Sequence, residues 1–173
     1  MTTPKRRLPV LQSKVDEGEP RPPWHWSAIG GIATLLAFVP LAAGAASLAR
    51  RTYERNVAGS DPAAIQAALQ AMTPGDRMLL GALVVLGPIV ALALASFGGG
   101  VLVGRFGGAA GKREAAVAGL FAAAVSSALA ARDMVERPEG PLLWLFTSAV
   151  LFACAGIFAF FGGLVGLRLR RRG

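Results

Sequence analysis

Four stretches of the chain run apolar without a single Asp, Glu, Lys or Arg: residues 24–49, 78–104, 115–131 and 142–167. A bilayer core of ~30 Å is crossed by about 20 helical residues, so each run has the length of a transmembrane helix. The pattern predicts an all-α membrane protein, a bundle of four transmembrane helices spanning 24–173, preceded by a polar tail. The tail, residues 1–23, holds Pro4, Pro9, Pro20, Pro22 and Pro23 and is expected to be mobile.

The longest connection, Arg50–Arg77, carries a second kind of pattern. Ser60-Asp61-Pro62 reads as a helix start, a capping residue followed by proline at the first helical position. Ile65, Leu69 and Met72 then recur at helical spacing with Gln66 and Gln70 turned elsewhere, and Thr73-Pro74-Gly75-Asp76 ends the run. A short amphipathic helix in the first outer loop, lying on the membrane surface and capping the bundle, is the expectation. Arg132–Gly140 reads as a short loop at the same end.

Within the spans, small residues repeat every four positions, which places them on one helix face and lets another backbone approach. The second span carries two such ladders, Ala91/Ala95/Gly99 and Ser96/Gly100/Gly104. The third carries Ala115, Gly119, Ala123, Ser127 and Ala131, and the fourth Ala155/Ala159/Gly163 with Gly162 and Gly166. Gly99, Gly100, Gly104, Gly119, Ser127, Gly162 and Gly166 are therefore the candidate helix-packing residues. The turn between spans two and three is so short that the two must be antiparallel neighbours, and their small faces are expected to meet. The third span, least hydrophobic of the four, is expected at the centre. Gly100 and Gly104 followed by Arg105 also correspond to Gly162 and Gly166 followed by Arg168, which hints at a two-helix unit used twice about an axis along the membrane normal.

Composition agrees with this reading. Hydrophobic residues make up 54% of the chain and mean hydropathy is +0.53, too apolar for the surface of a soluble domain of 173 residues. The 18 Lys and Arg against 10 Asp and Glu would by themselves admit nucleic acid as a partner. Their placement argues otherwise. Segments 1–23, 105–114 and 168–173, which four spans put on one side, hold twelve basic and four acidic residues, whereas the other loops hold six of each. This is the positive-inside distribution, and it assigns both termini to the cytoplasm and the chain to the inner (cytoplasmic) membrane. No aromatic-interleaved basic face accompanies the charge, so nucleic acid is not expected. Trp24-His25-Trp26 suits a headgroup-level aromatic belt, and the single Cys154 in mid-span suits packing among small residues. Ala43-Gly44-Ala45 resembles a signal-peptide cleavage site, but the preceding polar region and apolar run are both too long for one.

A search for catalytic chemistry returns little. No Asp, Glu, Lys, Arg or His lies at depth in any span, where proton relays and ion paths would need one. The hydroxyls at depth, Thr34, Ser96, Ser126, Ser127, Thr147 and Ser148, can each bond a backbone carbonyl one turn earlier. Gly111-Lys112 invites comparison with a phosphate-binding loop, but Phe106 stands where that loop needs glycine and Arg113 where it needs Ser or Thr. No enzyme activity, cofactor or metal is expected. Arg105, Lys112 and Arg113 flank the glycine turn at the cytoplasmic interface and are candidates for contact with an anionic lipid headgroup. Glu114 is expected to pair with Arg105 or Arg168.

Gly99, Gly100, Gly104 and Arg105, then Arg113, Glu114, Ala115, Ala116 and Gly119, form a GGxxxGR turn followed by REAAxAG. Over some twenty residues this resembles a loose group of small four-span bacterial integral membrane proteins of unknown function. The resemblance implies a similar topology and no activity. The expectation for function is a structural or accessory membrane protein, acting by helix packing as a homo-oligomer or as a subunit of a larger membrane complex. The alternative is a transporter or channel component built from the duplicated two-helix unit.

Overall fold

A computed structural model describes residues 24–57, 61–135 and 140–172; the tail 1–23 lies outside them. Five helices follow in order: α1 Trp24–Asn56, α2 Pro62–Ala71, α3 Pro74–Phe106, α4 Lys112–Val135 and α5 Gly140–Arg170. Among the described residues there is no strand. Helices α1, α3, α4 and α5 are long and apolar enough to cross a membrane. At 1.5 Å per residue the 33 residues of α1 and of α3 extend about 50 Å and the 24 of α4 about 36 Å, all beyond a ~30 Å hydrocarbon core.

The helices overrun the apolar stretches for local reasons. α1 continues through Arg50–Asn56 because Arg50 pairs with Glu54 one turn on, at 2.6 Å, and Asn56 Nδ2 donates to the Thr52 carbonyl at 2.9 Å. Part of the predicted loop is therefore helix. α3 begins at Pro74 rather than Met78. Thr73, expected to stop the short helix, caps the next one: its hydroxyl oxygen accepts the Asp76 amide at 3.2 Å. α2 itself starts at Pro62 behind Asp61, whose side chain makes no capping hydrogen bond. Ile65 and Leu69 are half-buried and Met72 is buried, whereas Gln66 and Gln70 are exposed.

α1 and α4 start at the same end, where the Ser27 hydroxyl donates to the Glu114 carbonyl at 3.0 Å. α3 and α5 both run back towards that end. α3 and α4 each touch all three of the other long helices. The core is made of small side chains: Ala91, Ala95, Ala115, Ala118, Ala122, Ala123, Ala155 and Ala159 are buried, and Leu92 and Val103 are the largest apolar side chains fully enclosed. Leu, Val, Ile and Phe instead crowd the outward faces, as Leu36, Val85, Leu129, Phe146 and Phe161 show. That inversion suits a lipid solvent, which gains nothing from burying Leu but lets close-packed backbones attract one another.

The expected pairing of small faces between spans two and three is corrected. The α3 ladder Ser96/Gly100/Gly104 packs on α5: a Cβ on Gly100 would collide with the Ala159 carbonyl, and one on Gly104 with the Gly163 carbonyl. Gly99 on the other ladder faces Thr34 and the Gly30 carbonyl of α1. Gly119 of α4 packs against Ala155 and Ala159 of α5. A short turn forces two helices to be neighbours only where they are joined; which faces meet further along is decided by complementary shape.

Candidate functional site

Two features are the candidates for a functional role, and they adjoin each other. The first is the α3–α5 crossing. Gly100 lies on Ala159 and Gly104 on Gly163; reciprocally, Gly162 lies on the Phe97 carbonyl and Gly166 on the Val101 carbonyl. Under the correspondence Gly100 to Gly162 and Gly104 to Gly166, each contact maps onto its partner, so the parallel helices meet about a local two-fold axis. At each contact a glycine Cα hydrogen is directed at a carbonyl oxygen across the interface, the geometry of weak Cα–H···O bonds worth roughly 0.5–1 kcal/mol each. The dyad is confined to this pair. Gly99 packs α3 on α1, but the equivalent position on α5 is the exposed Phe161, and α4 uses Ala155, Ala159 and Gly163 instead.

The second feature is the basic turn directly below. The Gly107 amide donates to the Val103 carbonyl at 2.9 Å and the Ala110 amide to the Gly107 carbonyl at 2.8 Å. Between them Gly108 takes φ +57°, a conformation other residues adopt at a cost. Glu114 then reaches back, its carboxylate accepting the Gly111 amide at 2.7 Å. The expected ion pair with Arg105 or Arg168 is thus replaced by a helix-capping bond, which satisfies an orphan amide and sets negative charge at the positive end of α4.

Arg105, Lys112 and Arg113 are all exposed around this turn. The Arg105 guanidinium lies 5.4 Å from the Phe106 ring centroid, and Lys112 Nζ lies 5.4 Å from that of Phe160 on α5. A further cation joins them: Arg170 Nη1 donates to the Gly108 carbonyl, tying the end of α5 to the turn. Arg170 stood in the sequence as one of a terminal basic run, and nothing local marked it as a partner of a residue 62 positions earlier.

Of the remaining packing candidate, Ser127 is buried and its carbonyl accepts Trp144 Nε1 at 2.9 Å, fastening α4 to α5. Thr34 and Ser126 return their hydroxyls to the Gly30 and Ala122 carbonyls at 2.8 and 2.9 Å, whereas the Ser96 and Ser127 hydroxyls are enclosed without a protein partner. An apolar groove of ≈ 390 Å³ opens between α1 and α3 in the half away from the turn, lined by Leu41, Leu48, Leu83, Leu86, Val90 and Leu94 among others. No protein-family model, curated protein or solved structure matches the chain.

Proposed function

We propose that the chain is a multi-pass integral membrane protein of structural or accessory type, working through helix packing with a second copy or with a larger membrane complex. The observation that carries this reading is the α3–α5 crossing. Two backbones in contact at four glycine positions make a stiff, closely packed pair, the construction expected of a scaffold. The charge distribution favours the inner membrane with both termini in the cytoplasm and α2 resting on the outer surface, its Gln66 and Gln70 towards water. The GGxxxGR and REAAxAG residues add a resemblance to small four-span bacterial membrane proteins.

Crosslinking in native membranes, followed by mass determination in mild detergent, tests the assembly reading. Species heavier than the monomer are expected; a monomer alone at every crosslinker concentration contradicts it. The local dyad of α3 and α5 favours one second reading, a transporter or channel component, although the correspondence reaches these two helices and not their neighbours. That reading needs water at Ser127. A membrane-impermeant thiol reagent should then label Ser127→Cys in a chain lacking Cys154, whereas the scaffold reading predicts no labelling.

A further inference from the structure

We infer that the α3–α4 turn and the last turns of α5 form a binding site for the phosphate of an anionic lipid, with Arg105, Lys112, Arg113 and Arg170 as its donors. The site presupposes that the chain lies in a bilayer but not that it assembles with anything.

Three contacts bring together the helix ends that carry these side chains. Gly163 of α5 lies against the Lys112 Cα, where a Cβ would stand 3.3 Å away. Gly166 lies against the Arg105 amide nitrogen, 2.8 Å from the Cβ it lacks. One turn further, Arg170 is bonded to Gly108. The glycine crossing thus brings the basic ends of α3, α4 and α5 together, closer than side chains of ordinary size would allow. Arg170 spends one guanidinium N–H on the turn and keeps the others for a ligand.

Their charge is left over. Glu114 is the one carboxylate among the described residues at this end, and it is half-buried and engaged with the Gly111 amide. Exposed guanidinium forks suit a phosphate, which they can grip with paired hydrogen bonds. The surroundings favour a phosphate attached to a lipid. Phe106 and Leu169, next in sequence to Arg105 and Arg170, are 58% and 41% exposed, so the patch offers apolar and basic surface together, as the boundary between headgroups and acyl chains requires.

The test uses the full chain in non-ionic detergent, read by native mass spectrometry against added phosphatidylglycerol or phosphatidylcholine. Phosphatidylglycerol should be retained and phosphatidylcholine not. Neutralising Arg105, Lys112 and Arg113 together to Gln should weaken retention on the order of a hundredfold, since each basic group near an anionic surface contributes roughly fivefold. Arg170→Gln alone should cost about fivefold by the same reckoning, and Lys112→Arg should restore what Lys112→Gln loses. Arg51→Gln with Arg55→Gln, at the far end, should change nothing. Circular dichroism checks that each variant keeps its helices; if the triple variant does not, the single variants carry the test. Unchanged phosphatidylglycerol retention in the folded variants would overturn the site. So would displacement of the lipid by equimolar inorganic phosphate, which would assign the site to the free ion. So too would a tenfold gain in retention when Asp16, Glu17 and Glu19 are neutralised, which would make the tail its occupant.

Discussion

Glycine has opposite meanings at different places in this chain, and the difference is measurable residue by residue. At Gly100, Gly104, Gly162 and Gly166 the missing Cβ is the space another backbone occupies. Alanine there must push a helix aside, and overpacking of this kind costs about 1–3 kcal/mol per site. At Gly44 and Gly98 there is open space, and alanine should be neutral or stabilise the helix by up to about 1 kcal/mol. Trp144→Phe removes the bond to the Ser127 carbonyl and should cost about 0.5–1.5 kcal/mol, read by thermal unfolding in mild detergent. Ser27→Ala, which loses the bond to Glu114, should cost a similar amount. The candidate packing residues were legible from spacing alone, because every fourth small residue marks a face. What the spacing could not tell was the partner. Arg170 was illegible for another reason: its carbonyl partner is any backbone oxygen until the fold supplies Gly108.

At the level of elements, the four long helices could be read from hydropathy because charge is so costly in hydrocarbon that the spans stand free of it. Their ends could not. Arg50–Asn56 and Pro74–Arg77 are polar, and a rule based on apolar content stops before them, although an i,i+4 ion pair and a threonine cap keep the backbone helical. Thr73→Ala should therefore fray the start of α3, raising amide exchange over residues 75–77 and lowering stability by about 1 kcal/mol. Exchange at 75–77 equal to that of the unaltered chain would show the cap is idle. The pairing of helices was misjudged for a physical reason. Connectivity places α4 beside α3 at the turn, but α5 offers glycines in the complementary register and takes that face instead.

For the whole molecule, the small-residue core and large-residue exterior describe a body whose solvent is lipid. Its one-sided charge predicts orientation: reporter fusions at residues 1 and 173 should both report the cytoplasm, and a fusion after residue 57 the opposite side. An outward C-terminus would contradict the charge argument. The central claim is that the α3–α5 glycine crossing organises both the bundle and the basic site beneath it. The most direct measurement compares thermal unfolding in mild detergent of Gly100→Ala/Gly162→Ala with that of Gly44→Ala/Gly98→Ala. The account predicts a loss of about 2–6 kcal/mol for the first pair and none for the second. Equal stability of the two double variants would contradict it.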